Sequence, residues 1–272
     1  MMLRVSDWRL VVGGALLCGF LLIAVAPQAV TRQNPFNGDL GGALGLPSHR
    51  HLFGTDELGR DLFARVVYGA RITLEITVGA LLVSAVAGVA LGTAAGYRRG
   101  PVDEAVMRTL DIVMSFPGVL LAIAIVAGLG RGIVNLSIAM GVTSVPVFAR
   151  LSRGLVLSVA ENEYVAAATA MGSTGTRIVV RHIVPNIMST ILVQLVARFG
   201  LTVLSAASLG FLGLGVEPPQ PEWGQLINAG RAYIGSNPGL IVFPGVALMA
   251  TVFAFNLVGD FLQDLIDPRL RR

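Results

Sequence analysis

Long apolar runs alternate with short polar, arginine-bearing segments along this 272-residue chain. Six runs approach the ~20 residues that cross ~30 Å of hydrocarbon. They are Leu10 to Val30, Ile72 to Gly96, Leu110 to Gly128, Ile133 to Leu151, Ile187 to Leu214 and Leu240 to Leu262. Pro117 and Pro146 lie inside the third and fourth runs. A bundle can satisfy the carbonyls that such prolines free, so both predict kinks. Ala206 to Gly215, rich in Gly and Ser, predicts an early break at the far end of the fifth. The pattern is that of an all-α polytopic membrane helix bundle with about six transmembrane helices.

The first run could be mistaken for a signal peptide, because Arg4 and Arg9 precede it and Ala24-Val-Ala26 resembles a cleavage site. The run is longer than a typical 7–15-residue signal core, and Pro27 follows the would-be cut. We read it as the first membrane helix. The chain then divides into an N-terminal helix with an external loop, 1–71, and a core, 72–272.

Orientation follows from the arginines of the short loops. With the N-terminus inside, the inner segments hold Arg4, Arg9, Arg98, Arg99, Arg108, Arg150, Arg153, Arg177, Arg181, Arg269, Arg271 and Arg272. Both termini and the loop 152–186 are then expected in the cytoplasm, and residues 31–71 and 215–239 outside.

The inner loop is the most structured polar island. Ser158-Val-Ala-Glu161 has capping-box spacing. Good helix formers follow to Gly172, placed where a left-handed residue ends a helix. Ser173 or Thr174 can cap a second helix, which Pro185 is expected to stop. Met171 to Thr174 would form a blunt tip suited to a groove on a soluble partner. A helix lying on the membrane surface is the competing reading, but Val165, Ala168 and Met171 are a poor anchor without Trp or Phe.

Composition narrows the class. The chain is 54% hydrophobic and 13% charged, with mean hydropathy +0.75; soluble domains carry about twice that charge. Every basic residue is Arg, scattered between the apolar runs, which argues against a nucleic-acid surface. Cys18 is alone and forms no internal disulfide. No Gly-x-x-x-x-Gly-Lys-Ser/Thr loop is present, so the chain has no such cradle for ATP phosphates.

The inner loop resembles the EAA loop of permease subunits of ATP-binding-cassette importers. The pattern falls on Ala166, Ala167, Ala168, Gly172 and Pro185, with Ala166 where the naming Glu would stand and Glu163 out of register. That variant resembles the peptide and nickel branch. Further blocks resemble C-type permease subunits of dipeptide and oligopeptide importers. They are Leu52-Phe-Gly-Thr-Asp-Glu-Leu-Gly-Arg-Asp61, Tyr68-Gly-Ala-Arg71, Ser208-Leu-Gly-Phe-Leu-Gly213, Pro218-Pro-Gln-Pro-Glu-Trp-Gly224, Phe255-Asn-Leu-Val-Gly-Asp260 and Asp267-Pro-Arg269.

The resemblance implies a type I importer permease fold in a bacterial plasma membrane, surrounded by lipid. It implies a second permease subunit, two ATPase domains carrying ATP and Mg, and an extracytoplasmic substrate-binding protein that delivers peptide. No cofactor or metal is expected on this chain. Glu163, Ala167, Ala168, Met171, Gly172, Ser173, Thr174 and Pro185 would couple to the ATPases. Asp56, Arg60, Asp61, Pro219 and Trp223 would form an external gate or contact the binding protein. Nickel, glutathione or haem are alternative cargoes.

Arg198 and Ser205 are the expected pathway-lining residues. An Arg at a helix centre costs ~2.5–3.5 kcal/mol on insertion scales, so Arg198 should face protein or water. Its five-donor fork suits a carboxylate, either a peptide C-terminus or a structural partner such as Glu75, Asp111 or an acid of the second permease. A secondary transporter would need ionisable groups or broken helices in related halves, and the halves show no repeat. An intramembrane enzyme would need a nucleophile, base or metal; Glu75, Asp111 and Asp260 lie near run ends, unpaired by any motif. His49 and His51 flank Arg50 and are read as solvated loop residues rather than metal ligands.

Overall fold

The computed structural model describes residues 7–266, with side chains from 11 to 264. Arg4, the side chain of Arg9, and the segment from Asp267 to Arg272 lie outside the described residues.

The helices are α1 (Asp7–Val25), the single turn α2 (Pro27–Val30), α3 (Leu62–Arg98), α4 (Gly100–Ser115), α5 (Gly118–Leu129) and α6 (Ile133–Ala160). They continue with α7 (Glu163–Ala170), α8 (Gly175–Ile178), α9 (Val184–Phe211), α10 (Trp223–Gly230) and α11 (Gly239–Ile266). Among the described residues, strand pairing is limited to isolated bridges, Gly38 with Arg60 and Thr55 with Asp61. Four helical stretches are long and apolar enough to cross a membrane: Leu62–Arg98, Ile133–Ala160, Gly175–Phe211 and Gly239–Asp264. The bent pair α4 and α5 makes a fifth candidate, and Val11–Val25 is a shorter apolar helix.

The bundle is centred on α3 and α6, its most closely packed pair. Gly88, Gly92 and Gly96 recur one turn apart on α3 and face Phe148, Ser152 and Val156 of α6. A Cβ on Gly88 would lie 2.5 Å from that of Phe148, and one on Gly92 2.8 Å from that of Ser152. Small residues let two backbones approach where lipid supplies no hydrophobic drive between helices. Two ion pairs then fix α4 to α6: Arg153 grips Asp103 with two bonds of 2.6 Å, and Arg150 pairs with Asp111. Phe20, Phe199, Trp223 and Phe255 join α1, α9, α10 and α11 in one core cluster.

Three expectations about helix boundaries fail for local reasons. Pro117 does more than kink the third run: α4 and α5 meet at 91°. The residue before a proline is driven out of the helical region, and Phe116 is extended at φ −92°, ψ 137°. Pro185 does not stop a helix either. Val179–Ile183 form a π turn in which the Val184 N–H reaches the Val179 carbonyl, and Pro185 sits in the first turn of α9. A proline costs little there, so α8, the π turn and α9 run together from Gly175 to Phe211. The capping box at Ser158 is absent. Ser158 lies inside α6, which continues to Ala160 because Val156 and Val159 pack with Val165, Ile178, Ile183 and Ile187. Pro146 is accommodated within α6, and α9 ends at Phe211, short of the expected Leu214.

Candidate coupling loop, cavity and cap

The candidate coupling loop joins α6 to α9. Asn162 precedes α7 without a side-chain cap bond. At the other end the Ser173 N–H donates to the Ala168 carbonyl at 3.1 Å and the Gly172 N–H to the Thr169 carbonyl at 3.0 Å. This bond pair is a Schellman closure, and Gly172 takes the left-handed φ of +78° it needs. A Cβ at Gly172 would find nothing within 4 Å. Met171 beside it is 81% exposed.

The loop has two faces. Val165 and Ala168 are buried in the small core under α7. Ala168 therefore holds the loop down and is not part of its outer surface. Glu163, Ala167, Met171, Gly172, Thr174 and Pro185 are exposed, and Ser173 is half-buried. A Cβ on Gly175 would lie 3.2 Å from the Tyr97 ring at the end of α3, and the Tyr164 ring lies 6.3 Å from that of His182. Sequence reasoning misses Tyr97, Tyr164 and His182 here, because they are isolated in sequence and meet only through the fold.

Arg198 stands at the middle of α9. It lines a cavity of about 220 Å³ together with Ser205, Thr143 and Ser144 of α6, and Gly118 of α5. Arg198 and Ser205, expected to line the pathway, thus share one wall of this cavity; sequence reasoning names none of its α5 and α6 side, which the break at Pro117 brings in. Neither acid offered as a partner for Arg198 takes that role: Glu75 pairs with Arg71 and Asp111 with Arg150.

The cap lies at the other end of α3. Trp223 donates its indole N–H to the Val66 carbonyl at 2.9 Å, whereas the coupling loop meets Tyr97. From Val66 to Tyr97 the helix rises roughly 45 Å at ~1.5 Å per residue, more than the hydrocarbon thickness.

Within the cap, Asp56 accepts from the Leu58 and Arg60 amides and from Arg60 Nε, with Arg65 Nε at 3.2 Å. Arg65 donates onward to the Pro35 and Pro219 carbonyls, tying the two loops together. Asp61 caps α3 through the Ala64 amide at 2.6 Å and takes His51 Nδ1 at 2.8 Å. Asp56, Arg60, Asp61 and Trp223 are all under 8% exposed. Of the two expected roles, external gate or binding-protein contact, burial removes direct contact for these four: they are the internal frame of the cap. Pro219 alone of that set is exposed. His51 is engaged with Asp61, and no group of three or more His, Cys, Asp or Glu that could hold a metal occurs among the described residues.

Sequence reading overlooked Glu222. It is 1% exposed and caps α10 through the Gly224 and Gln225 amides at 2.8 and 2.9 Å. Burial pushes its carboxyl up to about 7, against the downward pull of those two amides.

An apolar multi-helix bundle with a corner loop at one end of α3 and a tied cap at the other is the build of a multi-pass membrane protein. A family profile described as binding-protein-dependent transport system inner membrane component matches residues 88–272. The chain belongs to this family of inner-membrane transport permease components. It is 42% identical to the dipeptide transport system permease protein DppC of Alkalihalophilus pseudofirmus, over 98% of this chain and 91% of that protein. It is 44% identical to the glutathione transport system permease protein GsiD of Pectobacterium atrosepticum, over 83% of this chain and 75% of that protein. Against GsiD of Escherichia coli O157:H7 the identity is 47%, over 83% and 74%.

Proposed function

We propose that this chain is one of two permease subunits of an ATP-driven importer that carries di- or oligopeptides into the cytoplasm by alternating access. The observation that carries the reading is the loop between α6 and α9. It is anchored inward by Val165 and Ala168 and presents Met171 and Gly172 to open space. A tip so held transmits a push into α6 and α9 without folding on its own. In this reading ATPase domains, with ATP and Mg on their own chains, grip the tip. The second permease covers the face of α5 and α9 that carries exposed Val119, Leu120, Leu201 and Leu204. An extracytoplasmic binding protein docks over the cap, where Pro219 and Gln220 are exposed.

The names of the relatives support peptide cargo, and glutathione, itself a modified tripeptide, is the second reading. The arginine asymmetry supports cytoplasmic termini and a cytoplasmic coupling loop.

Two measurements test the proposal. Single cysteines at Ser173 and Ser48, in a Cys18→Ser background, should label from opposite sides of the membrane; labelling of both from outside overturns the orientation. Uptake of labelled dipeptide by cells carrying the intact system, lost on deletion of this gene and competed by peptides or glutathione, tests the cargo. Retained uptake in the deletion strain contradicts it.

A further inference from the structure

The cavity under the α4–α5 break is unbalanced in charge and in hydrogen bonding. Its one charged lining group is Arg198, and no carboxylate lines it. The Thr143 and Thr202 hydroxyls already donate to the Met140 and Arg198 carbonyls. Among the described residues, the Ser144 and Ser205 hydroxyls have no hydrogen-bond partner and the guanidinium has no ion-pair partner. The wall therefore offers a forked cation and two hydroxyl donors with no anion to receive them.

We infer that this cavity is a transient subsite for a carboxylate of the cargo, held in the Arg198 fork and by the Ser144 and Ser205 hydroxyls. The inference rests on the importer reading above. Planar, bidentate recognition is what a guanidinium does better than an ammonium. At about 220 Å³ the space is smaller than the ~300–1,000 Å³ of whole-ligand pockets, so it takes one terminus of a peptide and not the whole. A single cation also keeps the hold weak enough for release. The competing source of carboxylate is an acidic side chain of the second permease.

The test uses the complete complex, with both permeases, ATPases and binding protein, in proteoliposomes. Uptake of Ala-Ala is compared with uptake of its C-terminal amide, each normalised to binding-protein occupancy. The same binding protein serves every permease variant, so its own selectivity cancels when variants are compared. The wild-type preference for the free carboxylate should fall about tenfold in Arg198→Gln, the order expected for losing a charge-assisted hydrogen bond. It should fall partially in Arg198→Lys and a few-fold in Ser205→Ala, with the second permease still co-purifying. An unchanged preference overturns the inference. If Arg198→Gln fails to assemble, Arg198→Lys decides: reduced preference supports the subsite, and wild-type preference assigns Arg198 to a structural pair. A wild-type complex that assembles yet moves neither compound defeats the dipeptide-import reading on which the inference rests.

Discussion

The two ends of α3 carry the two most structured polar segments of the chain, and they are built in opposite ways. The coupling loop turns its charged and exposed residues outward around a glycine corner and anchors itself with two small side chains, Val165 and Ala168. The cap turns its charges inward. Asp56, Arg60, Arg65 and Glu222 are buried, and Trp223 fills the seat that Gly69 leaves open on α3, where a Cβ would lie 2.8 Å from the indole. A loop proposed as a docking tip keeps its surface free. A segment that must seal a bundle and still present a rim puts its charges to structural use. The difference predicts that cap mutations act first on stability and loop mutations first on coupling.

The largest effects should come from the cap frame. Trp223→Ala removes a fully packed aromatic and its hydrogen bond, and should cost about 3–5 kcal/mol. Asp56→Ala leaves the buried Arg65 guanidinium without its ion-pair partner and Arg60 with Glu57 alone, and should cost about as much. Both should appear as a large drop in melting temperature of the detergent-solubilised protein. A melting temperature within a degree or two of wild type would remove the cap from the folding core.

Glu222 gives the next effect, and its sign is fixed by its raised pKa. The unfolded chain releases this proton near the ordinary glutamate value, whereas the folded chain holds it until about pH 7. Between those values the folded state binds the extra proton, so stability falls as pH rises through the window and levels off above it. A shift of this size corresponds to roughly 3 kcal/mol across the window. Thermal melts from pH 4.5 to 8 should show that decline in wild type and a flatter profile in Glu222→Gln. Identical slopes would mean that Glu222 ionises freely.

Gly172→Ala should cost only about 1 kcal/mol, because the Cβ has open space and the penalty is the left-handed φ alone. Pro219→Gly should cost no more than about 1 kcal/mol of stability, the order of the backbone entropy a proline removes, while weakening stimulation of ATP hydrolysis by the loaded binding protein. Equal thermal loss in Pro219→Gly and Trp223→Ala would collapse the distinction between rim and frame.

The helical class, the approximate runs and the corner at Gly172 were legible because each is encoded within a few residues. A glycine after good helix formers needs no distant partner to end a helix. The failures involve backbone geometry or packing partners that residue type alone does not announce. Pro185 reads as a stop until Val179–Ile183 are seen to widen into a π turn. Pro117 reads as a kink until Asp103 and Asp111 are seen to fix α4 on Arg153 and Arg150 of α6. Trp223 and Asp56 read as surface chemistry, since tryptophan, prolines and charges in a polar loop suggest contact with a partner. Their burial depends on Gly69, Val66 and Arg65, more than 150 residues from Trp223 in the case of the first two. Arg198 and Ser205 share a wall, as their spacing on one helix suggests, but the opposing Ser144 and Gly118 come from helices whose break sets the cavity.

The central claim is that the Gly172 corner is the point where force enters this chain. Gly172→Glu, expressed with the complete transport system, tests it most directly. The side chain enters open space, so the account predicts normal membrane insertion and co-purification of the second permease, together with loss of the ATPases and of peptide uptake. Normal uptake with the ATPases still bound would contradict it.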